Sequence, residues 1–524
     1  MYLNGLLLPK PKLSKMKKLI PFACFLLCSI IIKSTLHAQP LPSPDSSAKP
    51  EKYTTKHSVK IDGKLINYTA TAGTIVIKNE KEESVAVIGY TAYTKEAETD
   101  MTKRPLTFAY NGGPGSSSMW LHLGVIGPRR IVVNDPGLNG PPPYKLEDNN
   151  YSILDVTDIV LIDPVGTGFS HATGKSKNTD FWGVDQDIKS VSQLIKQYIM
   201  DNERWNSPKY LLGESYGTFR SAGVADYLSQ NMGIAVNGVV LVSSVLDIRS
   251  LAFLPGDDLS YIVNLPTYAA TSWFHNKLPN KPADLYAFLK EVRSFAGGEY
   301  AAALIKGDQL PAAERDQVIG KLVGYTGLSK DYIDKANLRV LQPQFSKELL
   351  RNDRTDIGRL DARYKGISQD LLGEYAFSDP ADNAISPAFI STFMNYYTTE
   401  LKVNKEKTYN TAAYAFPDFK WDWKHQRGNG LFGDAATPNT GPDLANAMSL
   451  NPQLKILVLN GLFDLATPFY GTEYTFDHLG LDKKLKNNIT MKYYEAGHMM
   501  YISNTAAASF KKDVAAFIAE GIKQ

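Results

Sequence analysis

A serine stands between two glycines in the segment GESYG, residues 213–217, which matches the Gly-x-Ser-x-Gly pattern of a nucleophilic serine. This pattern also occurs by chance in long chains, so it is informative only where a strand precedes it and a helix follows it. Here the apolar segment KYLL, residues 209–212, comes first, and residues 216–232 then repeat apolar side chains at helical spacing. The context fits a nucleophilic Ser215 at a sharp strand-to-helix turn, and on this pattern alone an ordinary serine in a turn is an equal alternative.

Two polar residues near the end of the chain could activate this serine. Asp464 ends the apolar run LKILVLNGLFD, and His498 ends the run NITMKYYEAGH. The order Ser, Asp, His along the chain is the order expected when the nucleophile sits on a strand-to-helix turn. We therefore predict His498 as the base that takes the serine proton and Asp464 as the carboxylate that orients the imidazole. His478 and Asp477 lie in a predicted helix, EYTFDHLGL, and are interpreted as surface residues.

Backbone amides must stabilise the oxyanion that forms when such a serine attacks a carbonyl group. The amide of Tyr216, directly after the serine, is one predicted donor. The glycine-rich segment NGGPGSSS, residues 111–118, is predicted to supply the other, because its paired glycines allow a close approach of the backbone. A phosphate-binding loop is the competing interpretation, and the absence of the lysine that such loops carry argues against it.

These residues need a scaffold that brings the ends of several strands together. The apolar runs PLTFAYNGGPG, DIVLIDPVGTG, KYLLGESYG and GVVLVSSVLD end in loops, and helical patterns lie between most of them. With the two late runs, they predict a parallel sheet covered on both faces, with ligands bound beyond the carboxyl ends of its strands. Residues 57–95 alternate apolar and polar side chains in short runs, which predicts an antiparallel meander before this sheet.

The fold class predicted is α/β, with a mixed, mostly parallel central sheet, an N-terminal antiparallel meander and a helical insertion. Amphipathic helical patterns such as PADLYAFLKEVRSFAGGEYAAALI place the insertion, a cap, at residues 250–445. The two parts of the core are then residues 53–249 and residues 446–524. Residues 39–52, rich in Pro, Ser and Lys, are predicted to be a flexible leader.

The first 38 residues are predicted to be a secretory signal peptide. A basic start at Met16 is followed by an apolar run from Leu19 to Ile32 and by Ala38 at a plausible cleavage point, with Met1 as an upstream start or part of a long basic region. A membrane anchor is the alternative, although the run is short for a span and Lys33 interrupts its end. The expected location of the mature chain is therefore outside the cytoplasm, secreted or periplasmic, with no stable membrane span.

The composition excludes several classes of protein. The chain has 57 basic and 54 acidic residues, and residues 1–38 carry six lysines and no acid, so the remainder has a net charge of about −3 and gives no basis for nucleic-acid binding. Both cysteines lie in the predicted signal, so no disulfide is expected in the mature chain. The scattered histidines predict no metal site, and the predicted serine chemistry needs no cofactor.

Five blocks, YNGGPGSSS, LIDPVGTGFS, GESYG, LNGLFD and EAGHM, resemble in order and spacing the signature of the serine carboxypeptidase family, peptidase family S10. The resemblance runs from about residue 100 to the end of the chain, and it implies an α/β-hydrolase fold. It also implies a catalytic triad of Ser215, Asp464 and His498, with the amides of Gly113 and Tyr216 as the oxyanion hole.

The same resemblance implies that Asn111, Gly112 and Glu214 bind the free C-terminal carboxylate of a peptide substrate. An ionised Glu214 would repel that carboxylate, so one of the two groups must carry a proton. We therefore expect activity to be favoured at mildly acidic pH.

The chain departs from the family pattern at three places. Ala109-Tyr110 stands where the family usually has Trp-Leu, and Ser116 stands where a cysteine commonly follows Gly-Gly-Pro-Gly. Many members pair the motif glutamate with a second glutamate, and that position is Val125 here. The loss of this acid weakens the argument for a shared proton. Arg129 and Arg130 lie nearby and either compensate for the lost acid or are solvated surface residues.

The function predicted is a secreted serine-type carboxypeptidase that hydrolyses C-terminal peptide bonds through an acyl-enzyme. The alternative is an esterase or acyltransferase on the same scaffold, which the valine at position 125 keeps open. A binding module on an inactive hydrolase fold is a third hypothesis, and the intact Ser215, Asp464 and His498 argue against it. The side-chain preference at the scissile bond does not follow from the sequence, because the cap is expected to build that pocket.

Overall fold

The computed structural model of the protein describes residues 49–425 and 437–522. The predicted signal peptide, residues 1–38, lies outside the described residues, as do residues 39–48 of the predicted leader. The described residues all belong to one compact unit.

In chain order the strands are β1 (Lys52–Ile61), β2 (Lys64–Lys78), β3 (Ser84–Lys95), β4 (Leu106–Tyr110), β5 (Arg129–Val132), β6 (Lys145–Asp148), β7 (Asp158–Asp163), β8 (His171–Ala172), β9 (Lys209–Glu214), β10 (Gly238–Val242), β11 (Thr355–Ile357), β12 (Lys365–Ile367), β13 (Lys455–Gly461) and β14 (Ile489–Tyr494). Six of the strands in the described residues, β4, β7, β9, β10, β13 and β14, coincide with the apolar runs of the sequence.

The α-helices lie between and after these strands. They are α1 (Met119–Leu121), α2 (Val184–Asp201), α3 (Tyr216–Met232), α4 (Leu259–Phe274), α5 (Leu285–Phe295), α6 (Ala301–Lys306), α7 (Ala312–Thr326), α8 (Lys330–Lys335), α9 (Gln342–Glu348), α10 (Pro380–Thr399), α11 (Gly441–Leu450), α12 (Phe469–Asp477), α13 (Lys483–Lys486) and α14 (Asn504–Ile522).

Ten strands form the central sheet within the described ranges, in the order β1-β2-β3-β7-β4-β9-β10-β13-β14, with β8 paired to β3. Strand β2 is antiparallel to both of its neighbours, β1 and β3, and β3 is antiparallel to β7. From β7 to β14 every neighbouring pair is parallel. The predicted mixed, mostly parallel sheet with an N-terminal antiparallel meander is therefore confirmed.

The central strands are apolar without interruption because both faces of the sheet are covered. Side chains of β9 alternate between two hydrophobic clusters: Tyr210 and Leu212 face one, and Leu211 faces the other. Residues of α10 and α14 complete the first cluster, and residues of α2, α3 and α11 complete the second. The sheet is thus the middle layer of three, and its strand ends lie fixed between the helical layers.

Neighbouring strands β10 and β13 are separated in the sequence by a long, mainly helical segment. Its helices α4 to α9 share a third hydrophobic cluster with Leu462, Phe463 and Phe469, which follow β13. Helices α10 and α11 of the same segment pack into the two clusters that border the sheet. The division into a core and a cap at residues 250–445 stays a prediction.

Four parallel strands end at one edge of the sheet and deliver the predicted site residues there. Strand β4 ends before Asn111, and β9 ends at Glu214, directly before Ser215. The strands β13 and β14 lead into the loops that carry Asp464 and His498. Because the carboxyl ends of parallel strands meet at the same edge, residues far apart in the sequence become neighbours.

Candidate active site

Ser215 lies at a sharp turn between β9 and α3. Its φ of 59° and ψ of −128° are unusual for a residue with a side chain, and its amide donates to the carbonyl oxygen of Val242, at 2.9 Å. The turn is too tight for side chains at the two flanking glycines. A Cβ at Gly213 would lie 2.1 Å from the carbonyl oxygen of Gly217, and one at Gly217 would lie 2.8 Å from that of Tyr110.

His498 and Asp464 form a direct hydrogen bond, with 2.8 Å between Nδ1 of the imidazole and Oδ2 of the carboxylate. A carboxylate can only accept, so Nδ1 carries the hydrogen and Nε2 is left to accept a proton. The amides of Ala466 and Thr467 donate to Oδ1 of Asp464, at 2.8 and 2.9 Å, and the hydroxyl of Thr467 lies 2.7 Å from Oδ2. The carboxylate is therefore fixed in one orientation toward the imidazole.

Three hydrogen bonds to its backbone hold the loop of His498 in place. Its amide donates to the carbonyl oxygen of Leu360, at 2.6 Å, and its carbonyl oxygen accepts from the hydroxyl of Ser243, at 2.6 Å. The amide of Gly497 donates to Oδ2 of Asp361, at 3.0 Å. The position of the imidazole therefore depends on residues of the long segment between β10 and β13.

A cavity of about 330 Å³ opens above the turn of Ser215. The predicted site residues that line it are Asn111, Gly112, Gly113, Glu214, Ser215 and His498. The structure therefore brings together the predicted nucleophile, the predicted base, part of the predicted oxyanion loop and the predicted carboxylate-binding group, and Asp464 stands behind His498.

Further cavity residues were not predicted individually as site residues, although Ser116 belongs to the predicted oxyanion segment 111–118. They are Ser116, Trp120, Arg359, Leu360, Asp379, Asp382, Tyr414, Ala466 and Met499. Most come from loops and helix ends of the segment between β10 and β13, where no motif distinguishes them from ordinary surface residues. Four of these residues lie close in sequence to predicted site residues: Ser116, Trp120, Ala466 and Met499. This proximity was the only feature of the sequence that could have indicated them as cavity residues.

The glycine-rich segment lies directly against the turn that carries the serine. A Cβ at Gly112 would lie 2.4 Å from the amide nitrogen of Tyr216 and 2.7 Å from that of Gly217. Gly113 follows with a φ of 108°, which favours glycine. The backbone of the predicted oxyanion loop is therefore adjacent to the amide of Tyr216, the other predicted donor.

Glu214 is buried beside Ser215 and is surrounded by polar groups. The hydroxyl of Tyr501 donates to its Oε2, at 2.6 Å. Burial raises the pKa of Glu214 to about 7, because the charged form loses hydration; His498, Tyr501 and Asn111 lower it in part, and Asp464 raises it. The carboxyl group is therefore protonated in mildly acidic solution. Tyr501 was missed in the sequence analysis, because a tyrosine three residues after His498 carries no distinguishing pattern.

Burial lowers the pKa of His498, but the charge of Asp464, the hydrogen bond to Asp464 and the charge of Glu214 when that group is ionised raise it by more, so the net shift is upward. The guanidinium of Arg359 acts in the opposite direction and lowers it. The imidazole is thus a stronger base than a free histidine, which suits the acceptance of a serine proton.

Several residues discussed in the sequence analysis lie away from the cavity. Arg129 pairs with Glu400 at 3.0 Å, and Arg130 donates to Asn504 at 2.7 Å. Neither arginine lines the cavity, so neither replaces the acid that position 125 lacks. The alternative of a solvated surface residue is wrong for Arg130, because its side chain is buried. His478 is exposed and stacks on the ring of Tyr474. Val125 itself is fully buried in the apolar core.

Residues 49–425 and 437–522 contain no group of three or more His, Cys, Asp or Glu side chains placed to hold a metal ion. In the same residues, no helix has both the length and the apolar composition that crossing a membrane requires.

The sequence is similar to known proteins over part of its length, and the matched family model includes Ser215. A family model described as serine carboxypeptidase matches residues 82–237. A pheromone-processing carboxypeptidase KEX1 of Yarrowia lipolytica is 29% identical over 198 residues, which are 37% of this chain and 30% of that protein. A serine carboxypeptidase-like 20 of Arabidopsis thaliana is 36% identical over 129 residues, 24% of each chain. The chain thus matches less than a third of the length of these curated relatives.

The similarity in structure extends over most of the chain. The crystal structure of Kex1, a prohormone-processing carboxypeptidase of Saccharomyces cerevisiae, superimposes with a TM-score of 0.50 and 18% identity, covering 86% of this chain and 92% of that one. At this identity the likeness concerns the fold alone. Together with the sheet order, it confirms the predicted α/β-hydrolase fold.

Proposed function

Because the chain is related to the serine carboxypeptidase family, we propose that it is a serine-type carboxypeptidase that removes residues from the free C-terminus of peptides. One observation carries the proposal. The cavity that holds Ser215 and the Asp464-bound His498 also holds a buried, protonatable Glu214 directly beside the serine. Ser215, His498 and Asp464 suit acyl transfer. Glu214 suits recognition of a carboxylate.

In the proposed mechanism, Oγ of Ser215 attacks the carbonyl carbon of the last peptide bond while Nε2 of His498 takes its proton. Asp464 keeps the hydrogen on Nδ1 and stabilises the imidazolium. The amides of Gly113 and Tyr216 hold the oxyanion. His498 then gives the proton to the departing amine. Water attacks the acyl carbon while Nε2 of His498 takes its proton, and His498 returns this proton to Oγ of Ser215 as the new carboxylic acid leaves. No metal or organic cofactor takes part in these steps.

Recognition of the substrate carboxylate is assigned to Asn111, Gly112 and Glu214. A protonated Glu214 donates a hydrogen bond to the carboxylate, whereas an ionised Glu214 repels it. Since burial raises the pKa of this group to about 7, binding is expected to weaken as the pH rises above neutrality. This supports a preference for mildly acidic conditions even though position 125 carries no second acid.

An esterase or acyltransferase on the same scaffold is the second candidate. The observation in its favour is Val125, because the loss of the paired acid removes one group from the carboxylate site that the family resemblance implies. Under this alternative, Ser215, His498 and Asp464 keep their roles and only the acceptor or the substrate changes.

We also propose that residues 1–38 are a signal peptide and that the protein acts in the periplasm or outside the cell. In this proposal residues 53–249 and 446–524 form the catalytic core, and residues 250–445 form a cap that selects the substrate. N-terminal sequencing of the protein isolated from each cell fraction tests the processing, and a mature N-terminus near residue 39 is expected.

The deciding experiment compares an N-blocked dipeptide with its C-terminal amide between pH 4 and pH 8, with Ser215→Ala as the blank. We expect the free acid to be cleaved at least about a hundredfold faster than the amide below neutrality, because a site built to bind a carboxylate is left with unpaired polar groups by the amide. Equal rates for the acid, the amide and a simple ester at every pH would favour the esterase or acyltransferase.

A further inference from the structure

Tyr501 connects the loop of the proposed base to the proposed carboxylate site. It lies in the turn Met500–Ile502, three residues after His498, and its side chain is fully buried. Its hydroxyl donates to Oε2 of Glu214, at 2.6 Å. A polar atom of a buried ring is thus directed at the carboxyl group next to the nucleophile.

The ring of Tyr501 lies against the segment in which the family resemblance would place a second glutamate. Gly124 faces the ring so closely that a Cβ there would lie 2.3 Å from Cε2 of Tyr501. The next residue, Val125, is buried among apolar side chains. The phenol of Tyr501 therefore contacts Glu214, and position 125, where the family resemblance would place a second glutamate, has no acidic group.

Asn111 completes a cluster of three polar side chains. Its Oδ1 accepts from the amide of Leu121, at 3.0 Å, so its NH₂ group faces the other way. The Asn111 side chain lowers the pKa of Glu214 and of Tyr501 through hydrogen bonding. Two charged groups also shift the pKa of Glu214: His498 lowers it and Asp464 raises it.

A phenol and a carboxyl titrate differently from two carboxyls. Burial raises the pKa of Tyr501 well above its ordinary value, and the neighbouring Glu214 raises it further. The phenol therefore keeps its proton wherever the protein is folded and active, and it always acts as the donor to Oε2. Glu214 is then the one acid of the pair that changes its charge.

We propose that Tyr501 is a positioning residue that replaces the second acid of the carboxylate site. Its hydroxyl holds Oε2 of Glu214, so that Oε1 receives the proton and donates it to the carboxylate of the substrate. The inference rests on the proposed carboxypeptidase function. Recognition of the substrate then follows the ionisation of a single carboxyl group instead of a proton shared between two.

The test measures kcat and KM for the N-blocked dipeptide from pH 4 to pH 9 in the full chain and in three variants. Tyr501→Phe removes only the hydroxyl, so the anion of Glu214 loses a donor and its pKa rises. We expect the pH above which KM increases to move up by about one unit, the effect of one hydrogen bond to a charged group. Incorporation of 3-fluorotyrosine at position 501 supplies a more acidic phenol, which donates a stronger hydrogen bond to the anion of Glu214. The pH above which KM increases should then move down.

The matched control is Tyr494→Phe, which removes a hydroxyl that donates to Asp513 at 2.7 Å, away from the cavity. This variant should leave the pH profile of KM unchanged. Opposite shifts for the two changes at position 501 support the proposal, and a shift with 3-fluorotyrosine alone suffices if Tyr501→Phe does not fold.

Two negative results have different meanings. If the unmodified protein prefers the free acid but neither change at position 501 moves the pH limit of KM, the role of Tyr501 is refuted and the proposed function stands. If the unmodified protein shows no preference for the free acid over the amide, the proposed function itself fails, and the inference about Tyr501 fails with it.

Discussion

Arg220 and Asp187 form a fully buried ion pair beneath the proposed oxyanion hole, with 2.6 Å between Nε and Oδ2. The guanidinium also donates to the carbonyl oxygen of Asn111, at 2.8 Å, and lies over the rings of Tyr110 and Tyr216. This one side chain therefore joins α2, α3 and the end of β4. It holds the two backbone segments that carry the proposed oxyanion donors at a fixed separation.

Asp187→Ala is expected to destabilise the protein severely, because it leaves a buried guanidinium without its counter-charge. Breaking a buried pair in this way costs roughly 3–5 kcal/mol, which urea unfolding at neutral pH would measure. The matched control is Asp331→Ala, which breaks an exposed pair with Lys335 and should leave the free energy of unfolding almost unchanged. Similar effects of the two substitutions would contradict the structural role assigned to Arg220.

Asp464→Asn should reduce kcat on the order of ten-thousandfold while the protein stays folded. The amide group can donate to Nδ1 of His498, which stabilises the tautomer with its hydrogen on Nε2 and prevents that atom from taking the serine proton. Steady-state kinetics with the N-blocked dipeptide checks this. Asp477→Asn, at the end of α12, is the control and should keep full activity; an equal loss there would remove Asp464 from the proposed triad.

Glu214→Gln should change how stability depends on pH. The folded-state pKa of Glu214, about 7, is above the ordinary value of 4.5, so the folded protein binds this proton more tightly than the unfolded chain. Its contribution to stability is present below pH 4.5 and is lost as the pH rises through about 7, a change of roughly 3 kcal/mol.

We therefore expect Glu214→Gln to gain stability relative to the unmodified protein as the pH rises, and thermal or urea unfolding at pH 4.5 and pH 8 measures this. The comparison at pH 4.5 serves as the internal control, since the carboxyl group is then uncharged in the folded protein. A stability difference that is the same at both values would show that Glu214 ionises near its ordinary pKa.

Arg359→Gln should move the acidic limit of kcat to higher pH. Its positive charge lowers the pKa of His498, so its removal makes the imidazole easier to protonate and inactivate. Because Arg359 is exposed to solvent, a shift of roughly 0.3–0.5 pH units is expected. Arg359→Lys keeps the charge and should keep the profile. The same shift in both variants would mean that packing, and not charge, is responsible.

The sequence predicted the frame of the site better than its surroundings. Ser215, Asp464 and His498 were identifiable because each follows an apolar run, and such runs become parallel strands whose ends meet. The glycines of GESYG and NGGPGSSS were recognisable because only glycine fits where two backbones approach within a side chain's radius. These are local patterns with one structural solution, so they could be interpreted without knowledge of the tertiary structure.

Tyr501, Arg220 and Arg359 could not be predicted in the same way. Their roles come from contacts with residues far away in the sequence, such as Glu214 for Tyr501, 287 positions away, and Asn111 for Arg220, 109 positions away. No periodicity encodes such contacts, since they depend on how the helical layers and loops are placed on the sheet. For the same reason, the compensating role considered for Arg129 and Arg130 could be rejected only once their partners were known.

The carbonyl oxygen of Leu360 and the side-chain carboxylate of Asp361 both accept hydrogen bonds from the loop of His498, which bears on how this protein could be re-engineered. A segment that supplies the wall of a substrate pocket is an obvious target for exchange between related enzymes, since it should alter selectivity and leave the chemistry intact. Here the same segment also holds the loop of His498, the proposed base. A chimera with the corresponding segment of another enzyme would gain a new pocket but lose the contacts that position the imidazole of His498. Selectivity can therefore be changed without loss of turnover only if the loop of Leu360 and Asp361 is retained.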